Sequence, residues 1–117
     1  MITKFIPYQF ITLNQYINKE RANKYLAATV KKDETYRASI YFMNIKLNTP
    51  IKIKFIWHMK NERTDPDNIC WAKKMILDGM LKAAAIENDS FKHIKGFTDE
   101  FIVDKDNIGV EVIVEEV

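Results

Sequence analysis

Apolar and polar positions alternate most regularly from Ile51 to His58. Ile51, Ile53, Phe55 and Trp57 fall on one side, and Lys52, Lys54 and His58 on the other. A period of two is that of a half-buried strand. Beyond Asp65 the period changes. Ile69, Ala72, Ile76, Met80 and Ala83 recur at helical spacing and predict a buried stripe on a helix from Pro66 to Ala85. Asp65-Pro66 reads as its start, because Asp is a good N-cap and Pro is pre-set for the first helical position. At about 100° per residue, Lys74 and Asp78 come round to within roughly 20° of Asp67, on a line opposite the stripe.

The flanking segments are less regular. Lys4 to Leu13, with Phe5, Ile6, Tyr8, Phe10 and Ile11, predicts a strand. A helical pattern runs from about Arg21 to Phe42 on Tyr25, Ala28, Val30, Tyr36, Ile40 and Phe42. Its period falters at Lys31 to Glu34, which predicts a long or broken helix. Thr49-Pro50 closes that segment. After the acidic helix, Ile86 to Ser90 reads as a loop and Phe91 to Phe97 as a short strand. Phe101 to Val103 and Ile108 to Val114 frame an Asp104-Lys105-Asp106-Asn107 turn as a hairpin. The expected fold is α+β: one small domain over residues 1–117, a mixed sheet in the order β-α-β-α-β-β, and the acidic helix packed on it.

Composition narrows the classes. The 117 residues are 47% apolar, enough for one modest core. No run is long enough for a membrane helix and no signal-peptide pattern opens the chain, so a cytoplasmic protein without a membrane partner is expected. One cysteine excludes an internal disulfide, and with two histidines it leaves too few ligands for a Cys/His zinc site. The net charge of +2 conceals an asymmetry. Residues 1–64 hold 12 Lys/Arg against 4 Asp/Glu (+8), and residues 65–117 hold 6 against 12 (−6). A basic half suits phosphates and an acidic half suits cations.

The acidic bend carries the candidate chemistry. Magnesium is usually held by one or two protein carboxylates together with substrate phosphate, and Asp65 and Asp67 lie two residues apart across a proline. A helix N-terminus is also favourable for anions. The plain alternative is a well-capped surface helix, for which the same two carboxylates would be selected, with Lys74 and Asp78 as a surface pair. Arg21, Lys24, Lys31 and Lys32 are equally consistent with a solvated helix face. His58 reads as a structural histidine at a strand end, Cys70 as a small core or flank residue, and Trp71 as packing or a platform for a base.

The run Asp65-Pro66-Asp67-Asn68-Ile69, followed by Ala72-Lys73-Lys74, Ile76-Leu77-Asp78 and Asn88-Asp89-Ser90, resembles the RusA family of Holliday junction resolvases. These are small, dimeric, magnesium-dependent endonucleases common in phages and prophages. Leu13 to Arg21, continuing through Asn23-Lys24-Tyr25, is similar to members from Gram-positive bacteria and their phages. The strand ending in His58-Met59 sits where the family has its strand before the acidic motif, so the likeness covers nearly the whole chain. There are departures. About one helical turn is added between the Asp pair and the lysine, Asn88 stands where others can have an acid, and Ala83-Ala84-Ala85 replaces a closing glycine.

The resemblance implies that Asp65, Asp67 and Asp89 are catalytic, metal-binding carboxylates for Mg²⁺, with Mn²⁺ as a substitute and no small-molecule cofactor. It implies a catalytic lysine, Lys74 or else Lys73. The expected contacts to branched DNA are Asn14, Tyr16, Lys19, Arg21, Lys24, Asn68 and Lys73. The expected activity is paired phosphodiester hydrolysis at a four-way junction, by a homodimer in a bacterial cytoplasm. Two other classes compete: a branched-DNA-binding or phage accessory protein that keeps the fold without cutting, and a protein whose acidic helix only docks a partner.

Overall fold

A computed structural model describes all 117 residues. Four strands, β1 (Ile2–Ile6), β2 (Ile51–Met59), β3 (Ile94–Val103) and β4 (Gly109–Glu116), form one mixed sheet in the order β1-β4-β2-β3. β4 runs antiparallel to both β1 and β2, while β3 runs parallel to β2. Helices α1 (Leu13–Ala22) and α2 (Lys24–Ile40) connect β1 to β2. Helices α3 (Pro66–Cys70) and α4 (Lys73–Lys82) make the crossover from β2 to β3. The chain is thus an α+β fold with the expected β-α-β-α-β-β order, each helical region being divided in two.

The alternation along β2 does what its period predicts. Ile51, Ile53, Phe55, Trp57 and Met59 are all buried, and Val110, Val112 and Val114 of β4 lie beside them on the same side. These two fully buried rows need cover from both neighbours, which puts β4 and β2 at the centre of the sheet. The predicted hairpin therefore does not form. The chain turns at Asp104–Asn107, but β4 passes beyond β2 and pairs there, leaving β3 as an edge. β3 is also one ten-residue strand where two short ones were expected.

The first strand stops at Ile6, well short of Leu13. Pro7 brings no N–H for a ladder, and Leu13 already belongs to α1. Thr12 caps α1 in a reciprocal box: its side chain accepts the Gln15 N–H, and Gln15 accepts the Thr12 N–H at 3.0 Å. Of the long or broken helix expected from about Arg21 to Phe42, the long form is found as α2, while α1 is a helix that the apolar pattern did not predict, and the two meet at Asn23. Asn23 is extended (φ −163°) and its side chain accepts the Tyr25 and Leu26 N–H groups, so it ends one helix and starts the next. The apolar period falters at Glu34 for a different reason. Glu34 is a buried position filled by a carboxylate, which receives the Tyr8 hydroxyl at 3.0 Å and the Ile11 N–H at 3.0 Å. α2 runs straight through it.

The acidic helix keeps its stripe, with Ile69, Ala72, Ile76 and Met80 buried in a single core cluster and Ala83 packed at its margin. It is not continuous. Ala72, Lys74 and Met75 donate to carbonyls three residues back, a tight joint between α3 and α4. A turn of three residues advances about 120° per residue, so the facing of Lys73 and Lys74 departs from that of a regular helix. Gly79 sets the approach of α4 to α2. A Cβ there would lie 2.8 Å from the Ala38 Cβ and 2.9 Å from the Ser39 nitrogen. α4 ends in a reciprocal cap: Ala84 N–H donates to Leu81 at 3.0 Å and Ala85 N–H to Met80 at 2.9 Å. That cap needs a left-handed residue, and Ala84 supplies it at φ 59°. No helix is long and apolar enough to cross a membrane.

Candidate active site

Asp65 and Asp67 stand where the chain leaves the Met59 end of β2 and enters α3. Asp65 occupies the N-cap with extended backbone (φ −67°, ψ 146°), and its carbonyl accepts from Asn68 and Ile69. Its carboxylate makes no capping hydrogen bond. Asp67 accepts only its neighbour's Asn68 N–H, at 3.0 Å. Both side chains are exposed. The helix start is therefore built from backbone and proline, and the Asp65 carboxylate is not spent on capping it.

The residues around this bend are tied to α1. Asn68 accepts the Asn14 N–H at 3.1 Å, so two of the residues expected to meet DNA meet each other. Tyr16 packs its ring 5.0 Å from that of Trp71, and the Trp71 indole donates to the Ile11 carbonyl at 2.8 Å. Trp71 is thus a packing residue. These contacts fix α3 against the start of α1.

The two candidate lysines differ. Lys74 is exposed and paired with Asp78 at 3.0 Å. Lys73 turns toward the sheet, 4.9 Å from the Phe97 ring and 2.5 Å from Asp99. Asp99 also accepts the Trp57 indole N–H at 2.9 Å. Cys70 lies in the field of both Asp99 and Asp67. Burial foremost, then the Asp99 carboxylate, pushes its thiol up, against the pull of Lys73. A raised thiol is less often in the nucleophilic thiolate form.

Asp99 was not among the expected residues. Asp99 falls between the short strands expected at Phe91–Phe97 and Phe101–Val103, and only the parallel register of β3 on β2, Phe55 opposite Asp99, brings it beside Lys73. Nothing local in the sequence marks it.

Asp89 lies elsewhere. It precedes β3, in a hollow with Ser90, Phe91, Ile94 and Lys95, and Ile94 pairs with Ile51. Asp65 and Asp67 follow the other end of β2. Nine residues of strand separate the two positions by roughly 26 Å. No three acidic, histidine or cysteine side chains converge as a metal site within the chain. Asp65 and Asp67 fit the one-or-two-carboxylate pattern of a magnesium site, but Asp89 does not reach them from the same chain.

Of the basic residues, Lys19 and Arg21 lie in the last turn of α1 and Lys24 opens α2. All three are free of ion pairs, and the Lys24 ammonium sits 5.5 Å over the Tyr25 ring. His58 has the structural setting expected of it, 3.3 Å from Asp104 and edge-on to Phe5. A scan against protein-family models and a search of the curated proteins both returned no match.

Proposed function

We propose that the protein is a magnesium-dependent, structure-selective endonuclease that resolves four-way DNA junctions as a homodimer. The observation that carries this reading is the Asp65/Asp67 pair: two exposed carboxylates on a rigid Asp-Pro-Asp bend, with the N-cap carboxylate left free of capping. The ordered resemblance of this bend, the Lys73-Lys74 pair and Asp89 to RusA-type resolvases supports it.

In this reading Asp65 and Asp67 hold a hard cation at the mouth of α3. Such an ion, when bound, acidifies water and offsets charge on a scissile phosphate. Asn68 keeps the bend in place through its tie to Asn14. Lys74, exposed in the first turn of α4, offers a positive charge to the phosphate. Lys73 holds Asp99 and acts on position. Symmetric cutting of a four-way junction needs two sites related by a two-fold axis, hence a homodimer. A second copy is also the source from which an Asp89 could be delivered to the bend.

A synthetic four-way junction incubated with and without Mg²⁺, and resolved on a denaturing gel, tests this. Paired nicks that require Mg²⁺ and vanish in Asp65→Asn and Asp67→Asn support the enzyme. Wild-type cutting by Asp67→Asn overturns the site. A second reading, a branched-DNA-binding protein that does not cut, is favoured by the distance of Asp89 from the bend. It expects tight junction binding and no Mg²⁺-dependent nicks.

A further inference from the structure

We propose that the hollow between α1, α2 and α4 is a phosphate-backbone site, the surface on which a double-stranded DNA arm lies. This deepens the reading above and rests on its nucleic-acid part, not on cleavage.

Ala28, Lys31, Lys32 and Thr35 follow one another at i, i+3, i+4 and i+7, so they share one face of α2. Lys82 from the end of α4 and Tyr16 from α1 face them across a hollow of about 400 Å³. Ala28 leaves the space open. The lining offers three ammonium groups and two hydroxyls, and no carboxylate. A second hollow of about 480 Å³ continues from the first and shares Lys32 and Lys82 with it. It adds Arg37, with Asp33 as its single acid.

The charges here are not satisfied internally. Lys54, Lys73 and Lys74 each have a carboxylate partner, whereas Lys31, Lys32 and Lys82 have none. Gathering like charges around one concavity costs Coulomb energy that a bound polyanion relieves. The shape suits a continuous backbone better than a single nucleotide, because the basic groups are spread along two adjoining hollows, with one ring in each, Tyr16 and Tyr36.

The hollow also leads toward the candidate active site. Lys82, Asp78 and Lys74 lie at successive four-residue steps along α4, so Lys74 is roughly 12 Å further along the same edge. Tyr16, at the rim, packs on Trp71, one turn beyond Asp67. Lys19, Arg21 and Lys24 do not line either hollow. They form a second basic surface of equal charge, which the resemblance also expects to meet DNA, so the two surfaces are compared by how much each contributes.

The test is fluorescence anisotropy of the full chain with a fluorescein-labelled four-way junction, in EDTA, across a salt series. The variants are Lys31→Gln/Lys32→Gln/Lys82→Gln, Lys19→Gln/Arg21→Gln/Lys24→Gln, and Lys82→Gln alone, each checked by thermal melting. The hollow variant should bind at least about tenfold more weakly, with the salt slope reduced by roughly 0.9 per lost contact. The single Lys82 variant should lose about one such unit, and the Lys19/Arg21/Lys24 variant, whose residues are themselves expected DNA contacts, should lose less affinity than the hollow variant. Wild-type affinity and slope in a folded hollow variant overturn the proposal. So does a loss confined to the Lys19/Arg21/Lys24 variant. Hollow-dependent binding without Mg²⁺-dependent cutting removes the enzyme reading and leaves this site standing. A wild-type protein that binds no junction at low salt overturns both.

Discussion

Lys73 and Asp99 form a half-buried ion pair at 2.5 Å that joins the first turn of α4 to the edge strand β3. The same carboxylate holds the Trp57 indole at 2.9 Å, so one acid fastens helix, central strand and edge strand together. Removing either partner leaves the other charge half-covered and unmatched. Asp99→Asn and Lys73→Ala should each lower stability by about 1–3 kcal/mol. The double variant should cost clearly less than the sum of the two, as a double-mutant cycle in urea would read. Strict additivity would dissolve the pair as a structural unit.

The Asp65 carboxylate is predicted to be nearly silent in stability. Because it makes no capping hydrogen bond, Asp65→Ala should shift the melting temperature far less than a lost N-cap, which typically costs about 1 kcal/mol. The Thr12 cap is the internal standard. Thr12→Ala breaks a reciprocal box and should show the full cost. Equal losses at both positions would return Asp65 to a capping role and weaken its assignment to catalysis.

Glu34 should make stability depend on pH. Burial foremost pushes its carboxyl above the ordinary value of 4.5, and the Ile11 N–H, the Tyr8 hydroxyl and Arg37 only partly oppose this. The folded chain therefore holds that proton to higher pH than the unfolded chain. Its contribution is fully present below the ordinary carboxylate value and is lost as pH rises through the raised one. Measured by urea unfolding, wild type should lose ground to Glu34→Gln on going from acid toward neutral pH. Glu34→Ala should be destabilised throughout, since the Ile11 N–H and Tyr8 hydroxyl lose their acceptor.

Ala84 offers a gain. Its φ of 59° places a Cβ in a region that suits glycine, at a cost to L-residues of roughly 1–2 kcal/mol. Ala84→Gly should raise the melting temperature, while Ala83→Gly, at a right-handed position, should lower it. Opposite signs at adjacent alanines are the expected signature.

What could be read from the chain beforehand depended on whether the signal was local. The alternation of Ile51 to His58 and the stripe from Ile69 to Met80 each report one buried face, and both held in the folded chain. The division at Asn23 was also local, but it was written in a cap and not in the apolar period. Glu34 misled for the converse reason: a buried carboxylate broke the pattern without breaking the helix. The place of β4 between β1 and β2, and the meeting of Asp99 with Lys73, are pairings between distant segments. No window of neighbouring residues contains them. The bend at Asp65 was legible as a helix start, whereas the separation of Asp89 from it follows only from the parallel register of β3.

The seating of β4 between β1 and β2 has a kinetic consequence. β1 has no other partner, and its ladder, Ile2 opposite Val114, awaits a strand more than a hundred residues downstream. Until β4 arrives, the apolar rows of β1 and β2 face one another across an empty lane. Such distant closures are the slow step of folding, because chain entropy is lost before contacts compensate it. The α2–α4 contact at Gly79 can form earlier, so helices should assemble before the sheet is complete. An unfinished sheet with two open central edges is also the state in which strands of neighbouring molecules compete for the same lane.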